Sequence, residues 1–236
     1  MPPAMNPTGL TIGLDADDTL WHNERYFIDV TDRFVAMCRR YVDSADLDER
    51  LSNTERRNLA LFGYGAKGFT LSLIETAIEV TGGRIAAADI HECIEWCRWI
   101  LAHPVELLDG VAEVVDQLSS DFDLVVITKG DLLHQEAKMA GSGLAERFRS
   151  IEVVNEKDPD TYRRVLDELG VAPDRFVMVG NSVKSDVLPV LEIGALGVHI
   201  PYETTWVHEI VHDHDSQFPV LGSILELPGL IAQLDL

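Results

Sequence analysis

The apolar positions of the chain fall into two rhythms. Five short runs, TIGL (11–14), LVVIT (124–128), IEVV (151–154), FVMVG (176–180) and ALGVHI (195–200), hold few polar residues and are too brief for helices. Strands buried on both faces of a parallel sheet read this way. Between the last four lie DLLHQEAKMA (131–140), DTYRRVLDELG (160–170) and VKSDVLPVLEIG (183–194), each long enough for a crossover helix, the last two ending at glycine. Strand and helix in alternation predict an α/β fold: a Rossmann-like parallel sheet in three αβα layers with right-handed crossovers.

The first gap breaks that rhythm. More than a hundred residues separate Leu14 from Leu124, where a βαβ unit needs about 30. The surplus has helical spacing. Phe27, Val30, Phe34 and Met37 form one stripe, Ile74, Ala77 and Ile78 a second, and Ile90, Cys93, Ile94, Cys97 and Leu101 a third. The expectation is an inserted α-helical domain over residues 21–104, with residues 1–20 and 105–236 forming the α/β core and Pro104 marking the return to it.

Composition narrows the partners. Hydrophobic residues make up 46% of the 236, enough for a sizeable core. Forty acidic against nineteen basic side chains give a formal net charge of -21, and no basic patch stands out, which excludes nucleic acid as an expected partner. The opening MPPAMNPTG lacks a basic or apolar targeting pattern, and no later run reaches bilayer-spanning length. A cytoplasmic protein without a membrane partner is expected. Cys38, Cys93 and Cys97 are odd in number and lack CxxC spacing, so they read as core thiols rather than a disulfide framework.

Candidate chemistry sits where the strands end. LDADDTLW (14–21) places Asp15, Asp17 and Asp18 directly after the first apolar run, and unpaired buried carboxylates are expensive. The second run ends at Thr128, the third leads to Asn155 and Lys157, and the fourth to Asn181 with Asp186 five residues on. Ligands of open parallel sheets bind beyond the carboxyl ends of the strands, so these residues are expected to converge. Carboxylates, a hydroxyl and an ammonium in one crevice suit a hard divalent cation such as Mg2+ together with a phosphoryl group. On an extended segment Asp15 and Asp17 face one side, and Asp18, facing away, reads as solvated or structural.

These residues resemble the four ordered motifs of the haloacid dehalogenase-like superfamily. DADDT resembles its DxDxT motif, VVIT its apolar strand ending in a hydroxyl, Lys157 in EKDPDTY its lysine, and GNSVKSD its acidic last motif. Two departures are visible: Asn181 follows the glycine where an aspartate is common, and Lys157 is not followed by proline, which leaves Lys129 in TKGD as a competing ammonium. The resemblance implies Mg2+-dependent hydrolysis of a small phosphorylated substrate through an aspartyl phosphate on Asp15. It implies Asp17 as general acid and base, Thr128 and Lys157 as phosphoryl ligands, and Mg2+ held by Asp15, the Asp17 carbonyl and Asp186. It also implies that the helical insert is a cap that closes over the site. Dehalogenases of the family lack an aspartate at the position of Asp17, whereas phosphomutases share it and remain an alternative.

Three further features compete for a role. FGYGAKGF (62–69) breaks two insert helices and offers Tyr64 and Lys67 as substrate contacts, or else is a plain flexible turn; His22 and Asn23 are further candidates. HEIVH (208–212) matches the HExxH zinc-protease pattern, in which two histidines one helical turn apart bind zinc and Glu209 acts as base, but no metzincin continuation follows. A non-catalytic binding protein on the same fold is the third class, and the Asp15, Asp17, Thr128 and Lys157 set argues against it.

Overall fold

A computed structural model describes residues 9–211 and 216–234. The apolar runs become strands β1 (Thr11–Leu14), β2 (Asp123–Lys129), β3 (Ser150–Val154), β4 (Phe176–Gly180) and β5 (Leu196–His199). They form one sheet of order β3-β2-β1-β4-β5 in which every pairing is parallel. Alternate residues point to opposite faces. Ile12, Leu14, Leu124, Val126, Val177 and Val179 line one apolar layer, and Val125, Ile127, Phe176 and Met178 the other. Gly13 of β1 pairs with Met178 of β4. A Cβ there would strike the Phe176 ring and the Met178 sulfur, so the central strand needs glycine for the far layer to pack.

Helix α5 (Val111–Leu118) lies against the first layer through Val111, Val114, Val115 and Leu118, as does the short C-terminal helix Leu227–Ile231. Helix α6 (Leu132–Ser142) follows β2, and α7 (Pro159–Leu169) packs Tyr162, Val165 and Leu166 on the second layer. The single helix expected over 183–194 is instead a π turn (Val183–Val187) followed by α8 (Leu188–Glu192). Pro189 explains the break, because it has no N–H for the Ser185 carbonyl four residues back. The buried Tyr162 hydroxyl donates to that carbonyl instead, at 2.9 Å.

The chain divides into two compact units, one being Asn23–Pro104 with Gly130–His134. Within it run α1 (Glu24–Cys38), α2 (Leu47–Phe62), α3 (Ala66–Thr81) and α4 (Ala87–Ala102). Their core gathers Phe34, Leu51, Leu73, Cys93, Trp96 and Ile100. Two stripe members fall outside it: Ile78 is 43% and Ile94 37% exposed. The buried face of α3 runs through Ala66, Thr70, Leu73 and Ala77, and Ile78, one position on, turns about 100° away from it. Helix α2 is mostly polar. It buries Leu47, Leu51, Thr54 and Asn58 at 3/4 spacing, and Asn58 donates to Ser72 (3.1 Å) and Glu75 (2.7 Å) of α3. Among the described residues, no helix is long and apolar enough to cross a membrane.

Candidate active site

The turn after β1 presents the first aspartate. The Asp15 N–H donates to the Val179 carbonyl (2.9 Å), extending the β1–β4 ladder by one residue. The chain then doubles back: the Ala16 carbonyl accepts from Leu20 N–H at 2.8 Å, and Asp18 N–H donates to the Trp21 carbonyl at 2.7 Å. Asp18 adopts a left-handed φ of 62° to make this turn and is buried, so its place is structural rather than solvated.

Lys157 joins two strand ends. Its Nζ donates to Asp15 Oδ1 at 2.5 Å and to Asp186 Oδ1 at 2.6 Å, and all three side chains are buried. It follows β3 immediately ahead of α7, whose start is fixed by Pro159 and by the Asp158 carboxylate accepting from Thr161 N–H at 2.7 Å. Asp186 is seated by the π turn. Its Oδ2 accepts from Ser182 N–H at 2.9 Å, and it lies so close over Gly180 that a Cβ there would overlap its carboxylate. Two carboxylates against one ammonium leave a buried surplus of negative charge. Burial pushes the Asp15 pKa up to about 7, with Lys157 opposing and Asp186 and Asp17 adding to the rise. For Lys157 burial disfavours the charge, but Asp15 and Asp186 outweigh it and raise the pKa, so the ammonium persists.

Asp17 has an ammonium of its own. Lys138 Nζ lies 2.5 Å from Oδ1, Trp21 Nε1 donates to the same oxygen at 2.7 Å, and Gln135 Nε2 donates to Oδ2 at 2.8 Å. Burial would raise the pKa of this carboxyl, but Lys138 and the hydrogen bonds from Lys138, Gln135 and Trp21 carry it below the usual value. None of these three partners stands out in the sequence. Helix α6 turns Gln135, Lys138 and Met139 inward and leaves Leu132 and Leu133 55% and 69% exposed, the reverse of an ordinary amphipathic helix.

The remaining candidates make contacts of their own. Thr128 is fully buried at the end of β2, and its hydroxyl donates to the Lys129 carbonyl (3.2 Å). The Thr19 hydroxyl makes long contacts to Asp15 Oδ2 (3.4 Å) and Asn181 Oδ1 (3.5 Å). Lys129 Nζ donates to Glu209 (2.6 Å), Ser185 (2.9 Å) and Glu156 (3.2 Å). Lys67 lies in the first turn of α3 and pairs with Asp131 at 2.8 Å, while Tyr64 is half-buried in the short break before that helix. His22 Nδ1 is 2.6 Å from the Tyr202 hydroxyl. The HEIVH match does not form a zinc-binding helix: Val207–Glu209 is a single 3-10 turn, Glu209 pairs with Lys129, and His212 lies outside the described residues.

Among the described residues no three His, Cys, Asp or Glu side chains gather as a metal cluster. A Mg2+ ion does not require one, since it commonly takes one or two carboxylates and completes its shell with water and substrate oxygens. Asp15 and Asp186 share one ammonium, supply hard oxygen ligands and carry surplus negative charge, so the residues present fit such an ion.

A parallel sheet with carboxylates gathered around a lysine at its strand ends marks the candidate site of an α/β protein. Residues 10–194 match the family model of haloacid dehalogenase-like hydrolases, and the chain belongs to that family of enzymes. N-acylneuraminate-9-phosphatase from Mus musculus is 28% identical over 175 residues, covering 68% of this chain and 66% of that protein. The match thus spans just under two thirds of that relative's length. A crystal structure of a haloacid dehalogenase-like family hydrolase from Xanthomonas campestris is 46% identical, with a TM-score of 0.87 over 96% of this chain and 91% of the other. A 2-haloacid dehalogenase from Pseudomonas syringae shares the fold at 19% identity, with a TM-score of 0.63 over 95% of this chain and 98% of the other.

Proposed function

We propose that this hydrolase is a Mg2+-dependent phosphomonoesterase acting on a small phosphorylated metabolite. The observation that carries the reading is the Lys157 ammonium shared by Asp15 and Asp186 at 2.5 and 2.6 Å. It orients one carboxylate for attack beside another that would help hold the ion. Asp15, the Asp17 carbonyl and Asp186 are the proposed ligands, and Mg2+ would lessen the repulsion between an anionic nucleophile and an anionic phosphoryl group.

In the proposed cycle an Asp15 oxygen forms a bond to phosphorus as the bond to the leaving oxygen breaks, giving an aspartyl phosphate. Thr128 and Lys157 donate to the phosphoryl oxygens, where preorganised donors stabilise the charge that develops. An alkoxide leaves poorly without a proton. Asp17, which the resemblance implies as general acid, is the proposed donor of that proton as the bond breaks. Water then attacks the aspartyl phosphate and gives its proton to the Asp17 carboxylate. The form kept ionised by Lys138, Gln135 and Trp21 suits that second step. A halide needs no proton to leave, so dehalogenation would give this clamp on Asp17 no task.

The test is release of p-nitrophenol from p-nitrophenyl phosphate with Mg2+ and with excess chelator, on the wild type and Asp15→Asn. The wild type should require Mg2+, and Asp15→Asn should lose at least about 10²-fold in kcat, as loss of a nucleophile does. Full activity of the variant, or with the metal stripped, would refute the reading. The name of the mouse relative places N-acylneuraminate 9-phosphate in the first panel of metabolites to assay.

A further inference from the structure

Glu209 belongs to the HEIVH segment that the proposed chemistry does not use, and it lies beyond residues 10–194 covered by the family match. Yet its carboxylate is nearly buried, with a side-chain exposure of 11%. Oε1 accepts from Lys129 Nζ at 2.6 Å, and Oε2 accepts from both Ser182 Oγ and Ser185 Oγ at 2.5 Å. Both serines belong to the turn that carries Asp186. Ser185 N–H donates to Ser182 Oγ at 3.1 Å, and Ser182 N–H donates to Asp186 Oδ2 at 2.9 Å. A second fastening lies close by, where Lys184 Nζ donates to the His208 carbonyl at 2.8 Å. An unbroken chain of hydrogen bonds therefore runs from Glu209 through Ser182 to Asp186 and, by way of Lys157, to Asp15.

The turn being held is a π turn followed by Pro189: the Val183 carbonyl accepts from Leu188 N–H five residues on, and the Ser185 carbonyl, facing the proline four residues on, takes the Tyr162 hydroxyl in place of a backbone N–H. Polar partners outside the ligand set commonly fix the orientation of a metal-binding carboxylate, and losing one weakens metal affinity. We propose that Glu209 is a positioning residue that fastens the Asp186-bearing turn to Lys129 at the end of β2, so that a segment downstream of β5 sets the geometry of the site. The inference rests on the reading of Asp186 as a ligand of Mg2+.

The experiment is calorimetric titration of Mg2+ into the substrate-free full chain, for the wild type, Glu209→Gln and Ser185→Ala, with thermal unfolding to establish that each is folded. Glu209→Gln should bind Mg2+ about 10- to 100-fold more weakly. Ser185→Ala keeps the Glu209–Lys129 pair and should lose affinity in the same direction by less. At saturating Mg2+, kcat with p-nitrophenyl phosphate should recover in both with little change in KM, which general structural damage would not produce. Wild-type Mg2+ affinity in folded Glu209→Gln overturns the proposal alone; if that variant does not fold, unchanged affinity in Ser185→Ala does so. Absence of Mg2+ binding by the wild type overturns the metal reading itself.

Discussion

Asp15 and Asp17 are separated by one residue, and their environments push them apart. Asp15 shares Lys157 with a second carboxylate and is raised to about 7, chiefly by burial. Asp17 is held by Lys138, Gln135 and Trp21 and is lowered despite its burial. Two neighbouring carboxylates with opposite shifts are a common way to assign separate roles in one site. Lys138→Met removes the main opposing charge, so the Asp17 pKa must rise, and the carboxylate form that accepts the proton of water then appears only at higher pH. At about pH 6, kcat for p-nitrophenyl phosphate should fall about 10²-fold below wild type, within the range of a positioned acid–base group, and should recover as the pH is raised. A loss independent of pH would show that Lys138 serves packing alone. The two aspartates are legible in the sequence because they end an apolar run. Lys138 is not, because its burial depends on α6 turning its polar face inward, and no local pattern announces that choice.

At the scale of elements, local chemistry was readable wherever it obeyed one rule at a time. All five strands form where the apolar runs lie, and α7 begins at Asp158-Pro159, a cap followed by the one residue that needs no N–H in a first helical turn. The π turn before α8 was not readable, since it needs a tertiary partner, the Tyr162 hydroxyl, to satisfy the carbonyl that Pro189 leaves unpaired. The cap can be tested directly. The Asp158 pKa is held below the ordinary value by hydrogen bonds from Thr161. A carboxylate shifted that way stabilises the fold above its unfolded pKa of about 3.9, and the contribution is lost as the pH falls through the folded value. In denaturant melts at neutral pH, Asp158→Ala should cost about 1 kcal/mol. The gap to wild type should narrow below about pH 4, and Asp158→Asn, which keeps the acceptor, should stay close to wild type. An equal gap at all pH values would mean that the side chain acts otherwise than as a cap.

For the whole molecule the question is how a chain of formal charge -21 draws in an anionic substrate. The sequence has only five lysines, and three of them, Lys129, Lys138 and Lys157, are largely buried beside the strand-end carboxylates. Each is already paired with a carboxylate, Lys129 with Glu209, Lys138 with Asp17 and Lys157 with Asp15 and Asp186, so little positive field projects outward, while the surface charge acts over a long range. At about 0.01 M salt the Debye length is about 30 Å and the approaching phosphomonoester meets the net negative field; at about 0.1 M it is about 10 Å and only the local site is felt. With Mg2+ kept saturating, kcat/KM for p-nitrophenyl phosphate should therefore rise between these conditions, by roughly two- to threefold, while kcat stays level because the paired lysines are shielded from solvent ions. A fall in kcat/KM would mean that the cations at the strand ends steer the substrate in spite of the acidic surface.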